Sequence, residues 1–92
     1  MLRENGNPLT ETPRLFPNPA QEIVTLHYHA ETDDLATATI FNMVGEKVLT
    51  QDFDQSVGSN LLTLDVAGLS AGSYLVRVEN AAGVFVERFV KR

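Results

Sequence analysis

The chain has 92 residues, enough for one domain whose folding buries roughly 60% of the unfolded surface, which leaves little room for a deep catalytic cleft. Its hydrophobic share of 43% is ordinary for a globular domain, no apolar run approaches a membrane span, and the absence of cysteine removes disulfides and thiolate metal sites. A net charge of -5 argues against generic binding to nucleic acid or to an anionic membrane, since both need clustered Lys and Arg.

Met1 to Pro13 is rich in Asn, Gly, Pro, Thr and Glu, with Leu2 and Leu9 its only larger apolar groups. That composition suits a solvated linker, either to an upstream domain or left from an added segment. Met1 to Asn7 has neither the basic nor the apolar region of a secretion signal, so a domain working outside the cell is expected to be a piece of something longer. Order is expected from Arg14, with Arg14 to Phe16 a short edge strand. Pro17 ends it because proline lacks the N–H that a ladder uses, and Pro17-Asn18-Pro19 makes a stiff bend.

Beyond the bend no segment offers an amphipathic helix of useful length. Ile23 to His29 alternates Val24, Leu26 and Tyr28 on one face against Ile23, Thr25, His27 and His29, and Glu31 to Asp34 turns the chain. Ala36 to Asn42 is a strand with Ala36, Ala38 and Ile40 on one side. It leads through Asn42 to Glu46, where Gly45 supplies a positive φ, into a strand from Lys47 to Phe53. Gly58-Ser59-Asn60 reads as another turn, and Leu62, Leu64 and Val66 give an inward alternation that predicts core. Ser73 to Glu79 places Tyr74, Val76 and Val78 inward, and Asn80 to Gly83 turns into a last strand from Val84 to Lys91. The inward set of that strand is ambiguous, because Phe85 and Phe89 compete with Val84, Val86 and Val90.

Six strands and a short edge strand at this spacing predict an all-β fold, an antiparallel β-sandwich of about seven strands. Leu69, Gly72 and Tyr74 are spaced as in the corner where an immunoglobulin-like chain crosses between sheets. There the tyrosine ring enters the core and its hydroxyl reaches upstream backbone near Leu69. These three residues are read as structural.

The search for chemistry yields no placeable Ser, His and acid set, no phosphate loop and no carboxylate pair with a pKa device, so neither an enzyme nor a cofactor is expected. His27 and His29 share a face but show no third ligand, and paired strand histidines are more often solvated than metal-bound. Glu31, Asp33 and Asp34 lack the spacing of a calcium loop and read as turn acids. The charge is uneven: Arg77, Arg88, Lys91 and Arg92 face only Glu79 and Glu87 in the last sixteen residues, so the final hairpin is locally basic. Such an end can be a recognition tail or a device that keeps an edge strand soluble.

Phe16-Pro17-Asn18-Pro19-Ala20, the run Ile40 to Val48 around Gly45, the run Leu64 to Val78 around Leu69, Gly72 and Tyr74, and Phe89-Val90-Lys91-Arg92 occur in one order along the chain. In that order and spacing the sequence resembles the type A C-terminal sorting domain of the type IX (Por) secretion system, from about Leu15 to Arg92. Phe16 stands where that family often has tyrosine, and Asn42 where an aspartate is common.

The resemblance implies a non-catalytic address label on a larger N-terminal cargo, carried through the periplasm and across the outer membrane of a bacterium of the Bacteroidetes type. The implied partners are the type IX translocon, its outer-membrane shuttle and a sortase-type peptidase that cuts upstream of the domain and can attach the cargo to the surface. It implies no nucleic acid and no direct membrane insertion. The implied signal residues are Pro17, Asn18, Pro19, Gly45, Phe89, Val90, Lys91 and Arg92, with backbone and the charges of Arg88, Lys91 and Arg92 presented by the last hairpin. The rival reading is a fibronectin-like accessory or carbohydrate-binding module, for which Phe41, Phe53 and Phe85 are the candidate sugar-stacking rings. A structural spacer or adhesin repeat would sit mid-chain or in tandem, so the position of Arg92 in the parent protein separates it from a sorting tail.

Overall fold

The computed structural model describes residues 13–92, and the expected linker, apart from Pro13, lies outside the described residues. Among the described residues seven strands form: β1 (Arg14–Phe16), β2 (Ile23–Ala30), β3 (Asp34–Asn42), β4 (Lys47–Gln55), β5 (Gly58–Asp65), β6 (Gly72–Asn80) and β7 (Gly83–Lys91). They divide into a three-stranded sheet, β1-β2-β5, and a four-stranded sheet, β4-β3-β6-β7, with antiparallel neighbours throughout. The all-β sandwich expected from the sequence is therefore the fold.

The two-residue period of the strands decides what lies between the sheets. Val24, Leu26 and Tyr28 of β2 and Leu62 and Leu64 of β5 meet Ala36, Ala38 and Ile40 of β3 and Tyr74, Val76 and Val78 of β6 in one core with Val66 and Phe89. Each large side chain taken fully out of water contributes about 1.5–3 kcal/mol, so these rows carry the fold. The ambiguous last strand is settled by register. Tyr74 pairs with Phe89 and Val78 with Phe85, which turns both phenylalanines inward and leaves Val84, Val86 and Val90 outside.

One expected turn moves. Gly58, Ser59 and Asn60 are strand residues opposite Ala30, His29 and Tyr28, and the chain reverses earlier, at Ser56 and Val57. Side chains explain the shift: Asn60 Oδ1 accepts from Ser56 N–H at 2.9 Å, and Asp33 Oδ1 accepts from Val57 N–H at 2.9 Å. Two strands also run longer than the apolar pattern suggests, β3 starting at Asp34 and β4 ending at Gln55.

Gln55 is buried, and both ends of its amide are hydrogen-bonded. Its Oε1 accepts from Tyr28 Oη at 2.7 Å and from Asn80 Nδ2 at 2.9 Å, and its Nε2 donates to Thr32 O at 2.9 Å. This closes the end of the sandwich formed by the β2–β3, β4–β5 and β6–β7 turns. Asp34 joins it, accepting from Leu35 N–H and, across the sheet, from Ala81 N–H. Burial, aided by the Asp34 carboxylate, raises the Tyr28 phenol above its usual 10.0.

Candidate functional site

The other end of the sandwich gathers the segments singled out in the sequence, and it is built around a contact between the two extremes of the described chain. Pro17 and Pro19 have no N–H to give a ladder, so the chain leaves β1 at Phe16 and bends. Both the Phe16-Pro17 and Asn18-Pro19 bonds are cis. Between the prolines, Asn18 turns its side chain to β7 and its Oδ1 accepts from Val90 N–H at 2.9 Å. Ala20 N–H then donates to Val90 O at 2.7 Å, Arg92 N–H donates to Ala20 O at 2.8 Å, and Ala20 sits in a parallel bridge with Lys91. Three hydrogen bonds clasp the bend to the last strand.

Ala20 is fully buried, so the clasp is also a piece of the core. Main-chain bonds continue around this end, with Val66 N–H donating to Glu22 O at 2.9 Å and Leu69 N–H to Val66 O at 3.0 Å. Leu69 packs on the core, Tyr74 Oη donates to Ser70 O, and the Tyr74 ring stacks on Phe89 at 5.6 Å between centroids. Gly72 enters β6 opposite Lys91 with φ near +152°, where a side chain would be strained although nothing crowds the position. The corner of Leu69, Gly72 and Tyr74 thus braces the strand partner of Phe89 and Lys91.

Pro17, Asn18 and Pro19 are brought against Val90 and Arg92, and all five are exposed. Phe89 and Lys91 are not. Phe89 is fully buried, and Lys91 is 8% exposed with its Nζ turned onto Arg92 O at 3.0 Å. The expectation that the last hairpin presents unpaired backbone together with the charges of Arg88, Lys91 and Arg92 is corrected at its end, where Lys91 is buried and the backbone of Val90 and Arg92 is occupied. Strand parity points Lys91 inward with Phe85 and Phe89, and Asn18 and Ala20 occupy the backbone of Val90 and Arg92.

Gly45 lies at the same end but apart from the clasp. The β3–β4 turn that carries it is two to three strand spacings from β7, or about 10–14 Å. Gly45 adopts φ near +89° and donates its N–H to Asn42 O at 3.1 Å. Asn42 organises the turn, its Oδ1 accepting from Val44 and Glu46 N–H and its Nδ2 donating to Glu46 Oε1 at 2.7 Å. The amide can donate to Glu46 where an aspartate could not, which gives this chain a local reason for asparagine.

Two features escaped the sequence reading. Met43 and Val44 are exposed at the tip of this turn, Val44 by 80%, and the position of an aliphatic side chain just before the turn glycine was the signal available. A groove of about 460 Å³, open to solvent, also runs beside the clasp, lined by Pro17, Pro19, Gln21, Glu22, Ile23 and Arg92. Its lining mixes two prolines and an isoleucine with Gln21 and the opposite charges of Glu22 and Arg92.

A family model described as secretion system C-terminal sorting domain matches residues 14–92. The chain belongs to this family. The match begins at the first residue of β1 and ends one residue past β7, so it takes in all the described strands and both halves of the clasp. Comparison with the curated proteins finds none that matches. As a type IX sorting domain, the chain directs export to the cell surface or the medium and works with the type IX machinery on an N-terminal cargo.

The histidines and acids weighed in the sequence fall elsewhere. His27 pairs with Arg14 and Leu61 on the outer face of the three-stranded sheet, and His29 with Ser59. Among the described residues no three His, Asp or Glu side chains are grouped to hold a metal. Asp33 and Asp34 spend their oxygens on backbone N–H groups of the turns.

Proposed function

We propose that the signal read by the type IX machinery is a folded, composite surface. It comprises Pro17 to Pro19, Val90 and Arg92 around the groove, with the Gly45 turn as a second contact on the same end. The supporting observation is the clasp itself, in which residues 72 positions apart share a hydrogen bond, so that neither segment has its surface without the other. Phe89, Lys91, Leu69, Gly72 and Tyr74 act beneath this surface by holding it. The domain is substrate and ligand rather than catalyst. It passes through the periplasm of a Bacteroidetes-type cell, meets an outer-membrane shuttle and the translocon, and is cut by a sortase-type peptidase in the segment from Met1 to Pro13, with surface attachment of the cargo as one fate.

The three-plus-four strand order and the tyrosine bonded to Ser70 O support an immunoglobulin-like connectivity. The sugar-binding alternative loses its rings. Phe53 and Phe85 pack on Tyr28, and Phe41 lies under Arg77. Export of a signal-bearing reporter fused to residues 14–92 tests the proposal, in a type IX strain and in a translocon-deficient one. Surface or medium delivery is expected only in the first, and equal delivery in both overturns the reading.

A further inference from the structure

Among the described residues a different stretch of β7 makes no backbone hydrogen bond on the side away from β6. β7 pairs with β6 in unbroken register from Gly83 to Lys91 and is the last strand of its sheet. Val90 directs both its N–H and its C=O away from β6, to Asn18 and Ala20. Because the ladder has a period of two, Val84, Val86 and Arg88 direct theirs the same way. The hydrogen bonds of the clasp stop at Asn18, so although β1 packs near β7, among the described residues this length of edge makes no outward backbone hydrogen bond.

The side chains on that edge face outward too. Val84 is 57% exposed and Val86 49%, an apolar row where an edge strand ordinarily carries charge or proline. Arg88 stands exposed beyond them with no carboxylate within 4 Å among the described residues. On the neighbouring strand Arg77 lies over the Phe41 ring at 4.9 Å, and its Nε is buried without an acceptor. Glu79 reaches only the far guanidinium nitrogen, at 3.6 Å. Arg88 thus stands beside an apolar, pairing-competent edge, while Arg77 leans across the sheet away from that edge, onto Phe41 of β3.

We propose that the edge from Val84 to Arg88 docks an extended segment of another protein, apolar and β-branched opposite the valines and acidic opposite Arg88. The segment adds a strand to the four-stranded sheet. The chain shows that this edge accepts such a strand, since its own Ala20 occupies the next position as a parallel bridge. Charge selects the occupant. A second copy paired antiparallel through the same edge offers only Val84, Val86 or Arg88 across from Arg88, none a carboxylate, and brings together two domains of the same net charge. An acidic partner meets Arg88 instead.

The test uses the folded chain and a short acetylated peptide alternating valine and threonine around a central glutamate, with a central-lysine peptide as control. Two-dimensional amide NMR is expected to show shifts and slowed exchange at Val84, Val86 and Arg88 with the glutamate peptide, and about threefold weaker binding of the lysine peptide. Val86→Pro removes an outward N–H that β6 does not use and is expected to abolish binding while the melt stays cooperative. Arg88→Glu is expected to reverse the preference. No shift at these amides with the glutamate peptide at millimolar concentration, equal binding of both peptides, or protection that tracks self-association in sedimentation would each overturn the proposal. The experiment involves no export step, so its result stands apart from the sorting function.

Discussion

At one end of the sandwich carboxylate and amide side chains hold all the turns; at the other Asn42 holds the Gly45 turn in that way, but the bend after β1 is joined to β7 mainly by main chain around two prolines. The first end spends its polar side chains inward. Gln55 serves Tyr28, Asn80 and Thr32, and Asp33 and Asp34 serve the N–H groups of Val57, Leu35 and Ala81. At the second end Ala20, Glu22, Val66, Val90 and Arg92 satisfy one another through backbone, with Asn18 the main side-chain contributor to the clasp. The side chains of Pro17, Pro19, Ile23, Val44 and Arg92 are thereby left for solvent or a partner. One end is closed for stability and the other is closed in a way that leaves a surface to read.

The contrast is open to breaking by substitution. The largest expected effect is Phe89→Ala, which removes the ring stacked on Tyr74 and costs about 3–5 kcal/mol in urea denaturation. In a domain of this size, with about 5–10 kcal/mol in hand, that loss threatens folding itself. Truncation of Phe89 to Arg92 therefore confounds folding with recognition. Gln55→Ala comes next. It strands the Tyr28 hydroxyl and Asn80 and is expected to cost about 2–3 kcal/mol, while reporter export by the fraction that remains folded is unchanged. Export lost in proportion beyond the unfolded fraction would dissolve the distinction between the two ends.

Asn18→Ala is expected to cost about 1 kcal/mol and to speed exchange of the Val90 amide selectively, leaving the Gln55 end protected. The alkaline limb of stability sharpens the contrast from the opposite side. The Tyr28 phenol is raised in the folded state, so its contribution is intact below pH about 10 and declines as pH rises from there through the folded value. Tyr28→Phe is expected to remove that share of the decline, as read by chemical denaturation at a series of pH values. The smallest stability effect is Arg92→Glu, within about 0.5 kcal/mol, yet export is expected to fall, because Arg92 lines the groove.

The strands and core of this molecule were far easier to foresee from the sequence than the contacts that close its two ends. Alternation in Val24 to Tyr28, Leu62 to Val66 and Tyr74 to Val78 exposes the strands and core directly, because a two-residue period has one physical cause. The tyrosine corner was legible for the same reason, as a local spacing. The clasp was not. Asn18 and Val90 meet across 72 residues, and only the register of β7 shows that Lys91 points inward, against the usual habit of lysine. The turn at Ser56 was hidden because Asn60, inside a strand, makes it through its side chain.

The composite nature of the signal is tested most directly by replacing Pro17-Asn18-Pro19 with Gly-Ser-Gly in a signal-bearing reporter fused to residues 14–92, with every residue of β7 retained. Thermal melting identifies the folded protein. Surface delivery in a type IX strain is predicted to fail although the final residues are intact and the domain still melts cooperatively. Normal delivery of that folded variant would contradict the account and leave the last strand as a signal sufficient by itself.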